Sequence, residues 1–379
     1  MTSGINDGRD AAPEQASPPY QAPLTPVGAA AALREAGLID PALTECVALA
    51  GGTASRIAAL GRPGAAPELV VKLNAPAVVQ AEVLFLRTYG GSPLLPALRH
   101  VDAAYRFLAC DFVPGVRIRY GEDRVDVAAV LLRLVRDLLA RYVPAAGGSG
   151  QGLDLGRVAP LSELLEATAE ASDAGPGSRG SGTPSRTVRT WTRFLGDHVA
   201  YRHASLAVYV SDEDRRLVER LARAERRTER APLCLIHGDC GAHNFLFGQG
   251  SGRAGHVGPL NAVIDPYPLV GYPIYDLAFA FVSWPNGFDP EAILLAADAL
   301  RGSGRWRPNG EPQQLLWEQV LIALYMRMAT CLVHHPRDLP AYLAAWPRWR
   351  ALAAERAAAR VARTVTRGRP MPDAGRPTT

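Results

Sequence analysis

Lysine is almost missing from this chain. Of its 41 Lys and Arg residues, Lys72 is the single lysine. Such a bias marks a GC-rich genome in which nearly every interchangeable surface cation has become arginine. The surviving ammonium is therefore a candidate for work that a guanidinium cannot do. Other absences narrow the class further. No basic start followed by an apolar run opens the chain, so no signal peptide is read there, and no apolar run is expected to approach membrane-spanning length. The five cysteines are odd in number and widely scattered, which excludes a disulfide framework and reads as reduced thiols of a cytoplasmic protein. A net charge of +4 over 379 residues, with no basic stripe interleaved with aromatics, excludes nucleic acid as the expected partner. What is present is ordinary: 48% hydrophobic and 21% charged residues, enough for one large domain or two lobes.

The stretch around which the chain is organised is Leu233-Cys234-Leu235-Ile236-His237-Gly238-Asp239-Cys240-Gly241-Ala242-His243-Asn244-Phe245, answered later by Val263-Ile264-Asp265-Pro266. Apolar residues flank a polar turn on both sides, which predicts a short strand, a tight loop and a hairpin whose second arm ends on Asp265. Asp239, Asn244 and Asp265 would then leave strand ends toward one small volume. Phosphoryl transfer uses that set: a carboxylate to orient and deprotonate an attacking hydroxyl, and an Asn and a second Asp to hold magnesium. A zinc site competes, because Cys234, His237, Cys240 and His243 recur every third residue. A strand running into a turn does not readily bring four such ligands to one tetrahedron. His237 is read instead as bonding backbone, with Cys234 and Cys240 packing as small apolar groups.

The combination His237-Gly238-Asp239-x4-Asn244, Ile264-Asp265-Pro266 and Tyr275-Asp276-Leu277-Ala278 resembles the signature of the aminoglycoside phosphotransferase and choline kinase group, small-molecule kinases with a protein-kinase-like fold. His-Gly-Asp stands in place of His-Arg-Asp, Asp-Pro-Tyr in place of Asp-Phe-Gly, and no Ala-Pro-Glu segment follows the loop. These departures point away from a protein kinase and toward a small alcohol as acceptor. The resemblance implies an α+β, two-lobed fold with a small β-rich N-lobe over 24–112 and a larger, mostly helical C-lobe over 113–366. Residues 1–23 and 367–379 are read as disordered tails. It also implies Asp239 as the catalytic residue, Asn244 and Asp265 as ligands of Mg2+, and ATP, with GTP as an alternative, as the nucleotide. Lys72, in the strand pattern Leu69-Val70-Val71-Lys72-Leu73, would hold phosphate. Glu82, the only acid on the helix that follows, would pair with Lys72; the bland alternative is a solvated Glu. Gly51, Gly52, Thr53 and Ser55 are expected to cover the phosphates, since glycines let backbone N–H groups approach. That segment holds neither G-x-G-x-x-G nor a P-loop, and an ordinary hairpin turn would look the same. Asp111 and Val113, before a Pro-Gly turn, are the expected main-chain contacts to the base. Asp276 is read as a helix N-cap that, by the resemblance, supports the catalytic loop.

Helices are predicted at 76–89, bracketed by Pro76 and by Gly90-Gly91, at 123–142, at 187–210, at 211–230 behind Ser211-x-x-Asp214, and at 311–334. The Gly, Ser and Pro-rich stretches at 144–156 and 171–184 read as surface insertions. From Tyr267 onward the chain holds five of its six tryptophans, and nine Asp or Glu there face thirteen Arg. That is poor material for a polycation pocket. A neutral or weakly charged acceptor, stacked on one or more of these rings, is the expectation, with tryptophans as core the other reading. The expected function is an ATP-dependent O-phosphotransferase acting on a small hydroxylated molecule, an antibiotic or related natural product. The rivals are a metabolic kinase for a sugar or amino alcohol and a non-catalytic nucleotide-binding module. Neither a nucleic acid nor a membrane is expected as partner.

Overall fold

The computed structural model describes residues 24–49, 55–119, 122–144, 191–223, 233–250, 255–284, 289–308, 311–334 and 336–367. The expected tail at 1–23, the expected tail at 367–379 apart from Arg367, which ends the last helix, nearly all of the two insertions, and Gly51, Gly52 and Thr53 lie outside the described residues.

The first helix, α1 (Pro26–Glu35), starts where Thr25 accepts a hydrogen bond from the Gly28 N–H and Pro26 takes the first helical position. Five strands follow: β1 (Glu45–Ala48), β2 (Arg56–Gly61), β3 (Pro67–Leu73), and, after the helix α2 (Pro76–Tyr89), β4 (Leu98–Val101) and β5 (Phe107–Asp111). They form one antiparallel sheet in the order β1-β2-β3-β5-β4. The two-residue period of β3 decides what each face carries. Val71 and Leu73 turn to α1, where they pack with Ala29, Ala30, Leu33 and Phe107. Val70 joins the opposite face, near Val79 and Val83 of α2 and Leu108 of β5. Lys72 shares the parity of Val70, so the same alternation sends it toward α2 and the cleft below the sheet.

Helices dominate the second lobe. Its first, α3 (Val127–Asp137), is capped by Asp126, whose carboxylate accepts from the Ala129 N–H. It is shorter than its apolar stripe predicts because the chain tightens into a 3-10 turn at Leu139–Arg141. Next come α4 (Trp191–Leu206) and α5 (Asp212–Ala222), the latter capped by Ser211 as its sequence indicates. Two short antiparallel ribbons interrupt the helices: β6 (Cys234–Ile236) pairs with β9 (Leu269–Gly271), and β7 (Phe245–Phe247) with β8 (Leu260–Val263). Then α6 (Pro273–Val282), buried at every residue, packs on α7 (Pro290–Gly302) and α8 (Pro312–His334), and α9 (Leu339–Arg367) closes the lobe against α8. By length and composition α8 could cross a membrane, contrary to the expectation from the sequence. The fold buries 72% of that apolar window, as befits the core helix of a folded lobe.

Trp284, Trp306, Trp317, Trp346 and Trp349 are all buried, and Trp349 packs edge-on to Phe281 and tilted against Trp317. This corrects the expectation that one of these rings faces an acceptor: each is core. Removing a buried indole leaves a large void, so Trp317→Ala should lower stability by about 3–5 kcal/mol in urea denaturation. A loss below about 1 kcal/mol would show that the helical core does not depend on this packing.

Candidate active site

The loop from His237 to Asn244 hangs between β6 and β7, and its shape is set by groups beneath it. Gly238 adopts φ +77°, and a Cβ there would collide with the Tyr267 carbonyl, so only glycine fits. Asp276 was expected as an N-cap, but Tyr272 caps α6 and Asp276 lies inside the first turn. From there its carboxylate accepts from the His237 N–H (2.7 Å), the Gly238 N–H (3.0 Å) and the Tyr142 hydroxyl (2.6 Å). Burial pushes the Asp276 carboxyl up to about 7 although these three donors oppose the shift. The buried His237 ring donates from Nε2 to the Ile264 carbonyl (3.1 Å) and accepts the Asp239 N–H at Nδ1 (3.3 Å). Both of its nitrogens therefore serve the loop.

Burial lowers the His237 pKa to about 4. In the unfolded chain the ring takes up a proton below about 6.5, whereas in the fold it stays neutral until about 4. The unfolded state binds more protons in that window, so the contribution of His237 to stability falls as pH falls from 6.5 to 4. Asp276 works in the opposite direction, because its folded pKa is raised, and its contribution falls as pH rises from 3.8 toward 7. The clean measurement is thus a difference. Between pH 6.5 and 4 the parent should lose about 3 kcal/mol relative to His237→Gln in chemical denaturation. Parallel pH profiles would contradict a neutral His237.

Backbone pairing brings the second half of the site to the first. Phe245 pairs with Val263, and the Ile264 N–H donates to the Asn244 carbonyl (2.9 Å), so Asp265 emerges beside Asn244. Asp265 itself sits at φ 54°, in the left-handed region that Asp tolerates better than most residues. Its carboxylate meets Lys72 of β3 at 2.7 Å, and Lys72 meets Glu82 of α2 at the same distance. Lys72 and Glu82 are buried. Burial by itself disfavours the ammonium, but the two carboxylates outweigh it and raise the Lys72 pKa above its ordinary value, so it remains a cation.

Above this group lies a cavity of about 280 Å³. It is lined by Ile57 and Val70 of the sheet and Leu246 and Ile264 of the C-lobe, together with Asp111, Val113, Lys72 and Asp265. Of the two expected hinge residues, Asp111 already donates its N–H to the Ala97 carbonyl and grips Arg99 with its side chain. The Val113 N–H has no partner among the described residues. Ser55, expected over the phosphates, accepts a hydrogen bond from the Asn74 amide (2.8 Å).

Asp239 lies on the C-lobe side with 38% of its side chain exposed. Its Oδ2 receives the Asn244 amide (3.0 Å) and His243 Nε2 (3.0 Å). Burial pushes its carboxyl up, but His243, followed by the more distant His237 and Arg327, prevails and holds it below the usual carboxylate value. Asn244 uses its amide N–H groups on Asp239, which leaves its carbonyl oxygen available. Among the described residues no three His, Cys, Asp or Glu side chains converge as a metal cluster. The zinc reading loses two of its ligands: the His237 nitrogens bond backbone, and those of His243 bond Asp239 and Arg327. One hard carboxylate, one amide carbonyl and room for phosphate and water do fit magnesium, which is commonly held by one or two protein oxygens.

The profile of the phosphotransferase enzyme family matches residues 45–309. The chain belongs to this family. It is a phosphotransferase built of a sheet lobe and a helical lobe. Solved structures similar to this phosphotransferase include ethanolamine kinase from Plasmodium vivax, 12% identical over 85% of this chain and 87% of that one, with a TM-score of 0.49. A macrolide 2'-phosphotransferase from Brachybacterium faecium is 17% identical over 83% of this chain and 95% of that one, at a TM-score of 0.47. No curated protein matches the chain. Sequence reasoning missed three participants in the phosphotransferase site: Tyr142, Arg327 and the second partner of Lys72. Arg327 had a signal. It is the only charged residue from 319 to 333, a position where an arginine is rarely buried without a purpose.

Proposed function

We propose that this phosphotransferase moves the γ-phosphate of ATP, with GTP as an alternative donor, to a hydroxyl of an antibiotic or related natural product. The observation that carries the reading is the Lys72–Asp265 ion pair lining one apolar slot, with the bonded pair Asp239 and Asn244 on the loop whose next strand pairs with the one that leads to Asp265. The apolar lining of Ile57, Val70, Leu246 and Ile264 suits a purine, and the Val113 N–H offers it a donor. Lys72 holds phosphate while Glu82 keeps the ammonium in place. Asn244 and Asp265 are the residues that would hold magnesium, which when bound neutralises phosphate charge. Asp239 accepts the proton of the acceptor hydroxyl. The acceptor oxygen bonds the γ-phosphorus, the bond from that phosphorus to the bridging oxygen breaks, and the nucleoside diphosphate leaves.

The excess of Arg over Asp and Glu beyond Tyr267 supports a neutral or weakly charged acceptor over a polycation. Incubation with ATP, magnesium and a panel of hydroxylated antibiotics, sugars and amino alcohols, read by product mass, tests this. Addition of one phosphate to an antibiotic is expected. Phosphorylation of a sugar or amino alcohol alone would make the protein a metabolic kinase, and nucleotide binding without any product would make it a non-catalytic module.

A further inference from the structure

Behind Asp239 stands a group for which the basic mechanism has no need. Arg327 of α8 is completely buried, with its Nη1 3.2 Å from His243 Nδ1 and its Nε donating to the Tyr342 hydroxyl (3.2 Å). Tyr342 in turn donates to the Ser283 carbonyl and faces the guanidinium at 5.7 Å from ring centre to carbon. A guanidinium only donates hydrogen bonds. His243 Nδ1 must therefore be the acceptor, and the ring proton must sit on Nε2, the nitrogen aimed at Asp239 Oδ2. The ring is fitted closely: a Cβ on Gly241 would collide with its Cε1 and Nδ1.

We propose that Arg327 and His243 form a positioning relay that locks Asp239 so that Oδ1, not Oδ2, accepts the proton of the acceptor hydroxyl. This inference rests on the phosphotransferase reading above. Two N–H groups, from His243 and Asn244, converge on Oδ2, while among the described residues no donor reaches Oδ1. A carboxylate held by one donor can rotate and present either oxygen; one clamped on a single oxygen by two donors presents the other. Arg327 fixes the orientation of the clamp, because its hydrogen bond to Nδ1 leaves Nε2 as the nitrogen turned to Oδ2. Both residues act through Asp239 and neither is required to touch substrate.

The test has two independent arms. In the first, 15N NMR of the histidine side chains, with His243 assigned by its loss in His243→Gln, should show a proton on Nε2 and none on Nδ1. A ring protonated at Nδ1 overturns the relay, whatever the enzyme's turnover. In the second, His243→Phe should lower kcat by about 10- to 100-fold, the range expected when a reacting group is misplaced by about an ångström, with KM for ATP within about twofold. Because the Gln amide can reach the Nε2 position, His243→Gln should recover most of that loss. Equal kcat in parent and His243→Phe overturns the relay, as does a loss seen only in KM. Absence of phosphate transfer by the parent would instead sink the functional reading, and the NMR arm would still decide the tautomer.

Discussion

Asp239→Ala should lower turnover by about 10² to 10⁴ or more while leaving nucleotide affinity within a few fold. The selectivity of that loss follows from where the side chain lies. Asp239 belongs to the C-lobe loop and does not line the apolar slot, which is lined by Ile57, Val70, Leu246 and Ile264 with Lys72 and Asp265. Removing the carboxylate takes away the base and orienting group for the acceptor hydroxyl and leaves the nucleotide contacts standing. Stability should also survive, because the side chain is more than one-third exposed and the loop hangs on His237, Gly238 and Asp276. Single-turnover kinetics and nucleotide titration on the same preparation measure both quantities. Retention of near-normal turnover would remove Asp239 from its assigned role.

The second large effect is expected at the single lysine. Lys72→Met removes the cation between two carboxylates, Glu82 and Asp265, each 2.7 Å from the ammonium, and leaves a buried charge uncompensated. Breaking a buried pair in this way costs about 3–5 kcal/mol, far more than loss of a surface bridge. Both stability and phosphate transfer should fall. Lys72→Arg should not restore transfer: the side chain is only 9% exposed, and a planar guanidinium cannot occupy the site of a compact ammonium with both carboxylates in place. Adding Glu82→Gln to Lys72→Met should recover part of the lost stability without recovering turnover. Urea midpoints and transfer rates of the three variants separate these effects, and full activity in Lys72→Arg would contradict the special role of the ammonium.

How much of this was legible beforehand depended on whether the signal was local. The apolar pattern of Leu69 to Leu73 marked the strand that carries Lys72, and Pro76 with Gly90 bounded α2 correctly, because pattern and punctuation are properties of short segments. The relation of Asn244 to Asp265 was readable for the same reason, since a hairpin joins them. What failed to show was contact between distant segments. Lys72 and Asp265 are 193 residues apart, Tyr142 and Asp276 are 134 apart, and His243 and Arg327 are 84 apart. No spacing rule reaches across such separations. The tryptophans misled for a related reason: an indole suits a binding face or a core equally well, and only the packing of α6, α8 and α9 decided for the core. For Asp276 the cap reading failed, since Tyr272 caps the helix, while the support of the catalytic loop implied by the family resemblance is what its carboxylate provides.

The most direct measurement follows the γ-phosphate itself. ATP labelled at that position is supplied with magnesium to the protein and to its Lys72→Met, Asp239→Ala and Asp265→Asn variants, with an acceptor from the panel. The label should appear on the organic acceptor with the parent alone, and chelation of magnesium should stop it. Label that stays on ATP with the parent, or moves to the acceptor equally well with all three variants, would contradict a phosphoryl-transfer centre built from these residues.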